Sequence, residues 1–339
     1  MRAATHGPET AHAGPLQDGA GRVLRYLRLS ITDRCNLRCV YCLPDGCAER
    51  AGQAPLTVAE IGRAVAAFAD LGFRKVRLTG GEPMLRRDVC DVVRRVAATP
   101  GIERVGLTTN GHRLAALAPR LRAAGLTSVN VSLDSLDPDR FRAVTGASDP
   151  SRVRQGVEAA LAAGIPRVKV NVVLLRGLGE GELRRFLEWT GGTPVTVRFI
   201  DLMETGENGA LFRTSRVPAA AIRRLLDDGG WRPLPRAADD DGPATVYGHP
   251  DHRGRAGIIS AYDPGFCDSC NRLRVSSAGA LRLCLFGDEE IPLRPMLQRD
   301  ADREALAARV RASIARKPPS HLLQLGRCGS TPHLAATGG

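Results

Sequence analysis

From residue 24 to residue 201 the chain alternates six apolar, β-rich runs with stretches of helical periodicity. The runs cover 24–31, 75–79, 104–108, 128–133, 168–174 and 195–201. Between them, 57–71, 88–98, 114–124, 152–163 and 180–190 carry apolar residues at three- and four-residue spacings, with Gly72, Gly101, Gly125 and Gly164 near the helix ends. This βα repeat predicts parallel strands pairing edge to edge. Candidate binding groups follow or end several different strands, as the C-terminal mouth of a barrel requires, so a barrel is favoured over an open doubly wound sheet. Six repeats predict a partial (β/α)6 TIM-type barrel over 21–205. Beyond about residue 205 the pattern changes to a helix at 217–226, a Pro- and Asp-rich connection at 233–243, and short strands around 257–261 and 280–285. The expected fold is therefore α/β, with a smaller C-terminal α+β domain over 206–339 and a disordered segment over 1–20.

Composition narrows the setting. With 43% hydrophobic and 25% charged residues the chain can bury an ordinary core. No run approaches 18 uninterrupted apolar residues and the first twenty lack an apolar signal core, so neither a membrane span nor a secretory signal is expected and the location predicted is cytoplasmic. Nine cysteines is an odd count, six fall into two groups, and Cys47, Cys90 and Cys328 are left over. That is no disulfide framework, and it suits a reducing compartment. The excess of 48 Lys and Arg over 36 Asp and Glu gives a formal charge of +12 and points to an anionic partner. Many of the arginines are scattered on helix faces and few aromatics could stack bases, which favours a phosphorylated small molecule over nucleic acid.

The two cysteine groups carry the chemistry. Cys35, Cys39 and Cys42 have C-x3-C-x2-C spacing, and three thiolates leave one iron of a [4Fe-4S] cluster without a protein ligand. Cys267, Cys270 and Cys284 form a second triad, C-x2-C-x13-C, that suits another open cluster. The alternative is zinc: half a zinc site at the first triad, or a second site completed by His249 or His252.

Other candidates lie on the strands or just after them. Gly80, Gly81, Glu82 and Pro83 follow the second run: the glycines permit close approach of a ligand and Glu82 offers a carboxylate to a cation. Thr108 with Asn110, and Ser132 with Asp134, place short polar side chains at strand ends, where they could bind a ribose or purine edge or merely cap helices and make turns. Met203 could pack on an adenine ring or fill a gap in the core. Arg28, Lys75, Arg77, Lys169 and Arg198 sit inside otherwise apolar strands, where an unpaired charge is expensive. Facing inward, they would suit a triphosphate, while the plainer reading pairs each with a neighbouring carboxylate.

Assembled, these motifs resemble the radical S-adenosylmethionine (SAM) superfamily and, within it, the GTP 3′,8-cyclase family of molybdenum cofactor biosynthesis. The resemblance runs from about residue 21 to 286 and is most specific over 27–34, 75–83, 107–111, 129–134 and 266–274. It implies two [4Fe-4S] clusters, with Tyr41, Gly81, Glu82, Ser132 and Met203 at SAM. It also implies Arg28, Arg77, Thr108, Lys169, Arg272, Leu273 and Arg274 at GTP, Lys75 and Arg198 as supporting cations, and guanine on the open iron of the second cluster. In the family reaction a 5′-deoxyadenosyl radical takes hydrogen from C3′ of GTP and the C3′ radical attacks C8. Catalytic roles then fall on Arg272, Arg274 and the terminal Gly338 and Gly339, although 328–336 departs from the family's tail. A reducing electron donor and a downstream cyclic pyranopterin monophosphate synthase are the implied partners; the oligomeric state stays open, a homodimer included. Competing readings are a two-cluster radical SAM enzyme acting on a peptide and a zinc-stabilised nucleic-acid-binding module.

Overall fold

A computed structural model describes residues 15–46, 54–147, 149–236, 242–331 and 334. The repeat runs β1 (Tyr26–Ser30), α1 (Val58–Asp70), β2 (Lys75–Thr79), α2 (Val89–Ala97), β3 (Arg104–Thr109), α3 (Leu114–Ala123) and β4 (Ser128–Ser132). It continues through α4 (Pro138–Thr145), α5 (Pro150–Ala162), β5 (Arg167–Leu174), α6 (Glu180–Gly192) and β6 (Thr196–Asp201). The remainder is α7 (Gly209–Ser215), α8 (Ala219–Asp228), β7 (Arg232–Pro233), β8 (Thr245–Gly248), β9 (Arg255–Ile259), β10 (Arg272–Val275), β11 (Ala280–Arg282), β12 (Ile291–Pro292) and α9 (Arg303–Ser313).

Local chemistry accounts for the helix starts. At α1 the Thr57 hydroxyl accepts from the Glu60 N–H (3.2 Å) while the Glu60 carboxylate accepts from the Thr57 N–H (2.8 Å), a reciprocal capping box. At α5 the Asp149 carboxylate accepts from the Ser151 N–H (2.9 Å) and Pro150 takes the first helical position, so the helix begins earlier than its apolar spacing suggests. The eight-residue α4, absent from the sequence expectation, is capped by Asp137 and opened by Pro138.

The six expected strands form a parallel sheet in chain order, an unclosed partial barrel. The C-terminal strands extend this same sheet instead of building one of their own: β10 pairs parallel with β1 on one edge, and β9 parallel with β6 on the other. One apolar core spans both parts, from Leu24 and Phe68 to Leu281 and Leu306. The expectation of disorder over 1–20 fails for 15–20. Leu16 is buried in that core, and the buried Asp18 pairs with Arg22 (2.6 Å). Residues 1–14 lie outside the described part.

Candidate functional site

Strand direction decides where the two triads sit. Cys35, Cys39 and Cys42 follow β1, at the C-terminal mouth of the barrel. Because β10 runs parallel to β1, with Tyr26 opposite Arg272, the chain entering β10 with Cys267 and Cys270 lies at the other mouth. Strand β11 returns antiparallel, Arg274 opposite Arg282, and brings Cys284 to that same mouth. At about 3.3 Å per residue, a five-residue strand separates the mouths by about 15 Å. One cavity of about 310 Å3 joins them, and all six cysteines border it.

At the first triad, the loop is stitched to the end of α4 by the Arg38 N–H on Thr145 O (3.0 Å) and the Val40 N–H on Val144 O (2.9 Å). The Leu37 N–H reaches Cys35 Sγ at 3.5 Å. Burial, then Asp134, Cys42 and Cys35, push the Cys39 thiol well up. Tyr41 donates to Asp134 Oδ2 (2.7 Å), whose carboxyl burial raises to about 6 against the opposing Val173 N–H and Tyr41 hydroxyl. Gly81, Ser132 and Met203 border the same cavity.

Glu82 does not. It is buried, and its oxygens accept from the Met84 N–H (2.9 Å), the Thr109 hydroxyl (2.8 Å) and the Asn110 N–H (2.7 Å), locking the turn after β2 to the end of β3. Three donors of its own fold thus already engage the carboxylate. The two glycines, which border the cavity, also lie against a segment of this chain. A Cβ on Gly80 would lie 2.2 Å from Thr32 O and one on Gly81 2.3 Å from Arg34 O, so they admit the segment that leads into the first triad.

At the second triad, burial opposes thiolate formation at Cys270, but Arg272 and Lys317 bring it down to about 6. Cys267 is likewise lowered against burial, by hydrogen bonds from His321 and Ser320. Lys317 Nζ lies 3.9 Å from Cys270 Sγ and donates to Leu283 O (2.6 Å). Behind the loop, Arg22 donates to Cys267 O (3.0 Å), Pro319 O (2.6 Å) and Pro318 O (2.7 Å). Lys317, His321 and Arg22 had no assigned role in the sequence. His249 and His252 stack against Trp231 and do not border the cavity, which removes the proposed fourth zinc ligand. Among the described residues, no group of three or more His, Cys, Asp or Glu converges on a single ion. Two sets of three thiols, each bordering a roomy cavity, have the donor chemistry of open [4Fe-4S] sites.

Between the mouths lie the cations. Arg28, Lys75, Arg77, Lys169, Arg198, Arg272 and Arg274 all border the cavity. Arg77 donates to the Tyr26 hydroxyl (2.7 Å), Leu107 O (3.0 Å) and Ser128 Oγ (3.3 Å), and Arg198 makes a fork on Asn171 Oδ1 (3.0 and 2.6 Å). Burial, and then Arg28 and Arg272, push Arg274 well below the usual arginine range. Burial opposes ionisation of Tyr26, yet Arg77, Arg28 and Lys75 bring its phenol down to about 6. Thr108 Oγ1 and Asn130 Oδ1 are buried on this wall without a hydrogen-bond partner. Leu273 alternates with Arg272 and Arg274 on β10, and its side chain is fully buried in the core. Gly338 and Gly339 lie outside the described residues.

Comparison with known proteins follows the same division. A Radical SAM superfamily model matches residues 29–190 and a Molybdenum Cofactor Synthesis C model matches residues 195–323. The GTP 3′,8-cyclase of Stenotrophomonas maltophilia (strain K279a) is 50% identical over 324 residues, 96% of this chain and 99% of that protein. The GTP 3′,8-cyclase of Aeromonas hydrophila subsp. hydrophila is 51% identical over 330 residues, 96% of each. Among solved structures, Streptococcus suis SuiB bound to S-adenosylmethionine has a TM-score of 0.60 at 14% identity, covering 86% of this chain and 68% of that one, a likeness of fold alone. With such identity over nearly its whole length, the chain belongs to the GTP 3′,8-cyclase family of radical SAM enzymes.

Proposed function

We propose that this chain converts GTP to (8S)-3′,8-cyclo-7,8-dihydroguanosine 5′-triphosphate, the first step of molybdenum cofactor biosynthesis. The observation that carries the reading is the set of inward cations between thiol triads at opposite mouths of one cavity. Cys35, Cys39 and Cys42 would hold one [4Fe-4S] cluster and Cys267, Cys270 and Cys284 another, and with SAM these would supply the radical chemistry for C3′ of GTP and an anchor for guanine.

The chain's own residues do the positioning. Tyr41, Gly81, Ser132 and Met203 border the end of the cavity where SAM binds beside the first triad. Arg28, Arg77, Lys169, Arg272 and Arg274 neutralise the triphosphate, with Lys75 and Arg198 supporting them. Thr108 and Asn130 offer their unsatisfied oxygens to the ribose or base. Fixing both ends of GTP holds C3′ and C8 in near-attack geometry, which can contribute about 7–11 kcal/mol to lowering the barrier. A catalytic role for Gly338 and Gly339 rests on the family resemblance alone. A one-electron donor completes turnover, and the product passes to a cyclic pyranopterin monophosphate synthase. No described helix is long and apolar enough to cross a membrane, and the absence of disulfides among the described cysteines suits a reducing cytoplasm.

Anaerobic incubation of reconstituted protein with SAM, dithionite and GTP should yield 5′-deoxyadenosine and the cyclised nucleotide in equal amounts. Formation of 5′-deoxyadenosine with GTP left unchanged would refute the substrate.

A further inference from the structure

Four strands lie between β1 and β6 in the sheet, so the segments that leave these two strands start from opposite sides of the unclosed mouth. They meet nonetheless at one side chain. The segment after β1 carries the first triad with Tyr41, and the segment after β6 carries Met203 and runs through 202–208 into α7. Asn208, only 3% exposed, donates from Nδ2 to Tyr41 O (3.2 Å) and Met203 O (3.0 Å), and its Oδ1 accepts from the Thr205 N–H (2.8 Å). One N–H and two carbonyl oxygens face the amide, so this orientation alone satisfies all three.

The bridge joins two small apolar clusters that stand apart from the main core. Tyr41 packs against the cluster of Val144, Leu175 and Leu202, whereas Met203 packs against that of Ala261, Phe286 and Leu323. The Glu204 N–H on the Tyr262 hydroxyl (3.1 Å) and the Gly206 N–H on Thr331 O (3.0 Å) tie the segment to the side of the second cluster. Asn208 ties it to the first. Although Asn208 precedes α7 at the N-cap position, its side chain makes no capping bond there, so starting that helix does not account for it.

We infer that Asn208 is a positioning residue for SAM: it sets the spacing between Tyr41 and Met203 on the cavity wall beside the first triad and acts through them. The inference rests on the placement of SAM between those two residues proposed above. Both border the cavity, and Asn208 does not. Without the amide, two buried carbonyls and one N–H lose their partner, and the 202–208 segment is free to relax away from Tyr41.

The test is equilibrium binding of SAM and of GTP, each measured separately, to reconstituted holoprotein without reductant. Asn208→Ala should weaken SAM binding about tenfold, the factor that two net hydrogen bonds give, with GTP affinity and iron content unchanged. Asn208→Asp should do no better, since the isosteric carboxylate keeps the acceptor for Thr205 but sets oxygen against two carbonyl oxygens. Added to Met203→Ala, Asn208→Ala should cost less than it does alone, because both act through one wall. SAM affinity at the wild-type level in either Asn208 variant overturns the inference, and so does full additivity with Met203→Ala. Equal loss of SAM and GTP, or a fall in iron content, would make the bridge merely structural and overturn it too. Unchanged SAM affinity in Met203→Ala would defeat the placement of SAM and this inference with it, whereas a loss there with none at Asn208 would defeat the inference alone.

Discussion

Arg22 holds the second triad to the rest of the protein, and replacing it separates the two clusters experimentally. Its guanidinium is 7% exposed and pairs with Asp18, whose side chain is fully buried. Three carbonyls, those of Cys267, Pro318 and Pro319, accept its remaining hydrogen bonds. Arg22→Ala leaves a buried carboxylate without its cation, a defect of about 3–5 kcal/mol. It also orphans three acceptors at about 1–3 kcal/mol each, though these share one donor group and do not add. The loop before β10 and the segment after α9 then lose their common anchor. The first triad lies at the opposite mouth and is untouched.

Arg22→Ala reconstituted anaerobically should therefore fall from about eight irons per chain to about four. Reductive cleavage of SAM should persist within a few-fold while GTP binding is lost. Arg22→Lys should be intermediate, since an ammonium can keep the Asp18 pair but cannot form the fork. A variant with about eight irons, and a second cluster as resistant to chelators as the wild type's, would refute the anchoring role.

Lys317→Met removes a buried cation 3.9 Å from Cys270 Sγ, so the second cluster should become harder to reduce. An EPR-monitored titration should show its potential about 59 mV more negative, a tenfold change in a one-electron equilibrium, and an unchanged potential would rule out an electrostatic role. Glu60 joins α1 to the segment before α9. Burial works against its carboxylate, but the Thr57 N–H, Arg294, Gln298 and the Thr57 hydroxyl prevail and hold it at about 2. A folded pKa below the unfolded value stabilises above about pH 4.5 and is lost as pH falls toward 2, so Glu60→Gln should cost up to about 3 kcal/mol in urea unfolding at pH 7. That gap should stay level from pH 8 to about 5 and narrow below it, whereas a gap that widens on acidification would contradict the sign.

The barrel strands were legible because apolar β-branched runs bounded by glycine have few other uses. The second strand was expected at 75–79 and is found there. Strand β10 was legible only as chemistry. Its Arg272, Leu273, Arg274, Val275 sequence alternates charge with apolar residues over four positions, too short and too charged to read as a strand until β1 is seen beside it. Glu82 shows a different limit: spacing places a carboxylate after a strand but not the direction it faces, and here three donors of its own fold claim it. Residues 15–20 misled through composition, because glycine and proline suggested a loose segment while the Asp18 and Arg22 pair needed a partner surface more than 240 residues away to become visible.

The parallel addition of β10 to β1 determines what the cavity can do. A strand added antiparallel at that edge would bring Cys267 and Cys270 to the mouth that already holds Cys35, Cys39 and Cys42. The cations of the floor would then face no second site. Added parallel, β10 keeps the triads a strand length apart and sets Arg272 beside Tyr26 and Arg274 beside Arg28 in one register. The inward face of the barrel becomes cationic from β10 through β1 and β2, and burial makes those charges expensive. That expense is tolerable in a protein whose large apolar core runs unbroken behind the same strands, with Leu27, Leu29, Val76, Leu78, Leu273 and Val275 on the outward faces. Alternation along each strand thus places stability on one face and substrate charge on the other.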